Sequence, residues 1–408
     1  MATAAPSQAL EPTISSRRRT LSACCGAHVL HDGLTDLLNV LYPILQAQFG
    51  LSYAAIGSLK LLYSGAMASG QMPSALLAER IGGVRTLAIG TAAAACGYLI
   101  AGLSGGLAGV AIGLVLAGLG GSTQHPVSSS LISAAYAGSG SRMALGTYNF
   151  SGDIGKVVLP AAFAFVAAAL PWREGLFAVA ALGFASALLI PITLAHVPRP
   201  AAAESEAPAT AAAETADRPG AFRLLLAVHV ADSVTRSGFL VFLPFLLREK
   251  GADLPTIGLA LSLLFAGGAF GKLVCGWLGT RLGVLRTVLL TELVTAVLIA
   301  ALLPLSLLPA LVVLPLVGVA LNGTSSVLYG TVPEFVAPAR RTRAFGLFYT
   351  GGSVAGAVGP PLFGLCGDLA GLPATMLLIA AVALATLPLS WALRPAFNAN
   401  GAGLPSSP

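Results

Sequence analysis

The sequence predicts an all-α membrane protein, with twelve transmembrane helices in two pseudo-symmetric six-helix bundles. Three features point there. Only 9% of the 408 residues are charged, against about 25% in a soluble domain, too few to solvate the surface of a globule of this size. Breaks at charges and Gly/Pro clusters delimit twelve apolar runs of the length, roughly 20 residues, that a helix needs to cross a bilayer. And the second half of the chain repeats the first at a nearly constant offset.

The runs lie near 21–47, 53–78, 86–104, 107–136, 142–169 and 173–195, then 222–248, 254–279, 286–305, 307–332, 342–366 and 370–394. Residues 1–20 are polar, end in Arg17, Arg18 and Arg19, and read as a tail ahead of a retained first span rather than a cleaved signal. Residues 196–221 are rich in Ala, Pro and Glu and read as a flexible linker between bundles 21–195 and 222–394, with 395–408 as a second tail.

Basic residues set the orientation. Fifteen of 22 fall in the N-terminus, the even-numbered connections or the C-terminal tail: Arg17, Arg18, Arg19, Arg80, Arg85, Arg142, Arg199, Arg218, Arg223, Arg281, Arg286, Arg340, Arg341, Arg343 and Arg394. Arg173, Arg248 and Lys250 fall in odd-numbered connections. The positive-inside rule then puts both termini and the linker in the cytoplasm, which requires an even number of spans. Strung out in this way, the basic residues form no patch for nucleic acid. The five cysteines show no metal-ligand spacing, and no nucleophile–base cluster suggests an enzyme. No cofactor and no metal are expected.

At an offset of 201, His28 matches His229, Pro43 matches Pro244, Gly57 matches Gly258, and Arg80, Gly82 and Arg85 match Arg281, Gly283 and Arg286. Near the fifth and eleventh spans the offset is 200, pairing Gly152 with Gly352 and Pro160 with Pro360. Repeats of this kind flank a cavity at the membrane midplane, and rocking one against the other alternates access to it.

An ionisable side chain at mid-bilayer costs about 2.5–3.5 kcal/mol on insertion scales, so it normally faces a cavity or a partner. In the first span His28, Asp32, Asp36 and Asn39 fall within an arc of about 80° at 100° per residue, and His31 widens the polar face. The fifth span aligns Asn149, Asp153 and Lys156; the seventh carries His229, Asp232 and Arg236, with i, i+4 spacing that permits an Asp232–Arg236 ion pair. Lys60 and Lys272 lie in the second and eighth spans, and His125 precedes Pro126 within the fourth, where a bend is expected. Buried carboxylates and histidines can exchange protons near ambient pH. Asp32, Asp36, His28 and Asp153 are therefore the proton-coupling candidates. The others are cavity candidates, with Lys156, Arg236 and Lys60 as anion contacts. The plainer alternative is that Asp153–Lys156 and Asp232–Arg236 are static pairs holding helices together.

The connection Ala75-Leu-Leu-Ala-Glu79-Arg80-Ile-Gly82-Gly83-Val-Arg85 and its counterpart Gly276 to Arg286 resemble the loop motif of the major facilitator superfamily. The resemblance implies a cytoplasmic gate built from Glu79, Arg80, Gly82, Arg85, Arg281, Gly283 and Arg286; simple positive-inside topology is the alternative. The runs Ala27 to Asp32, Leu41 to Gln46 and Leu51 to Gly57, with Gly121 to Ser129, are similar to the fosmidomycin-resistance branch, whose members are proton-driven drug exporters of bacterial inner membranes. Asp153 and Lys156 depart from that branch's neutral fifth span. The resemblance implies a monomeric secondary transporter that uses protons to export a small organic solute. A symporter importing an organic acid and a transport-inactive receptor are the alternatives.

Overall fold

The computed structural model describes residues 13–136, 140–195, 197, 217–337 and 340–401. Among them are fifteen helices and no strand: α1 Ile14–Asp36, α2 Leu38–Phe49, α3 Tyr53–Ile81, α4 Gly83–Leu103, α5 Leu107–Gly121, α6 Gln124–Ala135, α7 Gly140–Ala169, α8 Trp172–Thr193, α9 Pro219–Glu249, α10 Leu254–Leu282, α11 Val284–Leu302, α12 Leu307–Phe335, α13 Arg341–Ala370, α14 Leu372–Trp391 and α15 Arg394–Gly401. Nine segments are long and apolar enough to cross a membrane. The α1–α2 pair, α3 and α13 fall outside that group. Large apolar side chains point outward over most of the surface, among them Leu188, Leu273, Leu308 and Val312. Such a belt is stable only against lipid.

Helix limits differ from the apolar runs where polar residues extend a helix into water. α1 begins at Ile14, because Thr13 caps it by accepting from Ser16 N (3.2 Å), so part of the segment read as a tail is helical. α9 starts within the segment read as a linker, with Pro219 in its first turn. The rest of that linker apart from Val197 and Asp217–Arg218, and residues 1–12 and 402–408, lie outside the described residues, as do Arg199 and the Arg142 side chain.

Two long runs are broken. Between α1 and α2 the chain bends at Leu37, and the Tyr98 hydroxyl donates to the carbonyl of Leu34 (2.6 Å), satisfying a group the bend would otherwise orphan. The expected bend at Pro126 lies one turn earlier, at Ser122 and Thr123, because the ring removes a donor from the preceding turn.

Helices α1–α8 form one half and α9–α14 the other. They meet along α3 against α13 and α7 against α10, with α2 on α9. At Gly57 an added Cβ would sit 2.5 Å from the backbone of Pro360 and Pro361, and at Gly258 one would sit 2.6 Å from Ala164. These repeat-related glycines let the halves approach to backbone contact. At the same end Asp368 accepts from the first-turn amides of α3, Tyr53 N (2.7 Å) and Ala54 N (3.0 Å), and Arg248 donates to Pro43 O (3.1 Å). This end of the bundle is closed.

Candidate functional site

Above the closed end lies a cavity of about 430 Å³ lined by both halves, including Asp36, Asn39, Lys60, Gln71, His125, Lys156, Arg236, Asn322 and Tyr329. That volume suits a small metabolite. Of the polar stripe of α1–α2, Asp36 and Asn39 line the cavity; all four of His28, Asp32, Asp36 and Asn39 are buried, because the opposite side of α1–α2 carries the apolar residues of the core.

Asp32 is the hub. Its Oδ1 lies 3.2 Å from His28 Nε2 and 3.9 Å from both His31 Nε2 and His125 Nε2. Its Oδ2 lies 3.2 Å from Lys156 Nζ. Lys156 is also 3.8 Å from Asp153 Oδ1, and Asp153 Oδ2 accepts from Lys272 Nζ (2.5 Å). The expected Asp153–Lys156 contact is therefore present but secondary. Each partner has a closer one, and Asp153–Lys272 ties α7 to α10 across the two halves. Asp36 accepts from Asn39 Nδ2 (3.2 Å).

His28, Asp32 and His125 offer ligand atoms within 4.8 Å of one another. A cation can be held there, but the Lys156 ammonium on the same carboxylate repels a divalent metal.

In the second half the site differs from the sequence expectation. Asp232 and Arg236 form no ion pair within 4.0 Å. Asp232 turns into the bundle beside Glu292 of α11, while Arg236 donates to Ser325 Oγ on α12 (3.1 Å) and lines the cavity. Glu292, buried to 2% exposure, went unnoticed in the sequence, although a carboxylate in the middle of a 19-residue apolar helix is itself a signal. His229 stacks on Phe348 (4.0 Å, 10°) and finds no hydrogen-bond partner on either ring nitrogen. Asn149 is exposed, outside the network.

Among the described residues Lys60 and Arg236 have no carboxylate oxygen within 4.0 Å. Lys60 has only the Tyr63 ring, 6.0 Å away. One unpaired cation from each half thus faces the cavity.

The loop residues Glu79, Arg80, Arg85, Arg281 and Arg286 are exposed at the end opposite the closed one. Gly82 and Gly283 turn there with φ of 94° and 81°, a region that favours glycine. The acid–arginine bridge of the gate is not formed in this state; Arg281 lies instead over Trp277, 5.8 Å from the ring centroid.

Comparison with known proteins gives the same architecture. A search of curated proteins finds no match. Among solved structures, a bacterial homolog of the human lysosomal transporter Spinster, inward-facing and occupied, superposes with a TM-score of 0.78 at 18% identity, covering 94% of this chain and 98% of its own. The nucleoside transporter NupG gives 0.75 at 13% identity, covering 93% and 100%. A POT family transporter in complex with 5-aminolevulinic acid gives 0.77 at 12%, covering 94% and 98%. At these identities the likeness is one of fold. The sequence profile of the Major Facilitator Superfamily matches residues 24–231 and again 225–403. With both halves covered, the protein belongs to the Major Facilitator Superfamily.

Proposed function

We propose that this protein is a proton-coupled secondary transporter that moves a small organic anion by alternating access, exporting it across a bacterial inner membrane. The observation that carries this reading is the shared cavity in which Lys60 and Arg236, one from each half, face solvent space without a carboxylate partner. An unpaired cation in a low-dielectric site is stabilised by an arriving anion. A ligand that touches both halves also makes different contacts in each conformation, as any coupled ligand must.

The buried network of Asp32, Asp153 and the histidines supplies groups able to exchange a proton beside that cavity. Export follows the resemblance to the fosmidomycin-resistance branch. Uptake of an organic acid by symport uses the same cations, and the test below separates the two. We place α1–α2, α3 and α13 in the membrane with the nine apolar segments, giving twelve crossings by a functional monomer. The arginine-rich end lies in the cytoplasm, as the positive-inside rule directs. The closed end is then periplasmic and the present state faces inward.

Inverted vesicles carrying the protein, given an imposed pH gradient and a panel of anionic, cationic and neutral compounds, test this. Collapse of the gradient by anions alone, with their accumulation, is the expected result. Collapse by cations or neutral compounds overturns the anion reading, and movement of solute together with protons shows symport.

A further inference from the structure

Tyr148 decides which nitrogen of His28 carries hydrogen. Its backbone carbonyl lies 2.7 Å from His28 Nδ1, and a carbonyl only accepts. Nδ1 is therefore the protonated nitrogen, and a neutral His28 would present a bare lone pair on Nε2. That atom is buried, has no hydrogen-bond partner, and lies 3.2 Å from Asp32 Oδ1. Two acceptors set this close, with the Lys156 ammonium on the other carboxylate oxygen, are a ready seat for one further proton, on the ring or on the carboxyl.

The second half makes the comparison. His229 stacks on Phe348 and packs against Gly352 much as His28 stacks on Tyr148 (4.0 Å, 14°) and packs against Gly152. The residue at i+4 from His229 is Ser233, not an acid. The pseudo-symmetric scaffold is present twice, but the proton partner only once.

We propose that His28 and Asp32 form a single-proton site, and that Lys156 transmits its occupancy to the Asp153–Lys272 bond between the halves, making Lys272 a coupling residue. With the site empty, Asp32 holds its full charge and draws Lys156 to 3.2 Å, leaving Asp153 to Lys272. With the proton bound, the charge of Asp32 is already balanced. Lys156 turns to Asp153, 3.8 Å away, and competes there with Lys272. The cross-half bond loosens and the closed end can open. The empty, unprotonated carrier stays locked, which prevents uncoupled leak.

Other charged or titratable groups interact with Asp32 too: His31 and Asp36 from α1, Tyr63 from α3, His125 from α6, Tyr148 and Lys156 from α7 and Lys272 from α10. None but His28 has both a fixed tautomer and a buried bare nitrogen aimed at the carboxylate.

This rests on the transporter reading but is tested without a solute. The full chain in nanodiscs, with spin labels at Leu103 and Leu308 near the closed end and native cysteines replaced, is followed by electron–electron double resonance from pH 5 to 9. The wild type should open at that end as pH falls, along a one-proton curve. Asp32→Asn should abolish the pH dependence. Lys272→Met should open the closed end at every pH and flatten the curve, and Lys272→Arg should restore it. A wild type insensitive to pH, or a Lys272→Met variant with the wild-type curve, overturns the proposal. A second arm titrates zinc chloride at fixed pH with EDTA reversal. A shift driven by zinc and not by pH means that the site takes a metal rather than a proton, and also overturns it. Failure of the vesicle assay for every anion would defeat the transport reading while leaving these curves intact.

Discussion

Replacing Gly57 by alanine inserts one methyl group where the two halves touch. The added Cβ would lie 2.5 Å from Pro360 C and O and from Pro361 Cα, whereas carbon atoms rest at about 3.5–4.0 Å. The obstruction is backbone on both sides, so no side chain can swing away, and α3 and α13 must separate by about 1 Å at this level. Overpacking of this size typically costs about 1–3 kcal/mol. The cost falls only on the conformation in which the closed end is shut, so the equilibrium should move toward the alternative by roughly 5- to 150-fold. The spin-label pair at Leu103 and Leu308 reads this directly, as growth of a longer-distance population at fixed pH. Thermal stability of the folded protein should change far less than that ratio. If Gly57→Ala keeps the wild-type distance distribution, the halves do not close through this contact and the closed-end assignment fails.

Asp368→Ala removes both acceptors from the first turn of α3. At an exposed position this should cost about 1 kcal/mol and shift the same distance distribution in the same direction, roughly fivefold. Asp32→Asn should end pH-gradient-driven accumulation in vesicles while an anion found to be transported still binds; Asp153→Asn, which weakens the bond to Lys272, should impair coupling as well. Accumulation by Asp32→Asn at the wild-type level would place the proton path elsewhere. Arg80→Ala should slow transport in the vesicle assay with little loss of binding, because Arg80 is exposed at the bundle end; loss of binding in a folded variant would refute a gating role. The Asp253 carboxyl, which caps α10 by accepting from Thr256 N (2.9 Å), is held below the usual carboxylate range by its hydrogen bonds to Thr256. A depressed value means that its contribution is present at neutral pH and lost as pH falls through the folded-state value. Hydrogen exchange at the start of α10 should therefore speed up in acid, beyond the intrinsic effect of pH, in the wild type but not in Asp253→Ala.

Much of the architecture was legible because lipid imposes a simple pattern: long apolar runs, polar loops and a repeat at a fixed offset. The stripe of His28, Asp32, Asp36 and Asn39 was legible for a related reason, since helical spacing alone puts those residues on one face. Pairings were not. The i, i+4 spacing of Asp232 and Arg236 fitted an ion pair, yet each side chain found a different neighbour, Glu292 on one helix and Ser325 on another. The bond between Asp153 and Lys272 joins residues 119 apart and depends on how the halves dock, which no local pattern encodes. The loop motif gave the residues of an expected bridge, but among the described residues Glu79 has no arginine within ion-pair distance, and no local pattern decides such a contact. The bend at Leu37 was missed because leucine is a good helix former and marks no break.

Alternating access is the central claim, and the accessibility of one cavity residue tests it most directly. Ser353 lines the cavity and is exposed to it. In a chain whose native cysteines have been replaced, Ser353→Cys should react with a membrane-impermeant thiol reagent in both inverted and right-side-out vesicles. Reaction should be faster from the arginine-rich side in the wild-type background, and Gly57→Ala should raise the rate from the other. Labelling confined to one side in both backgrounds, with the protein folded and inserted, would contradict the account.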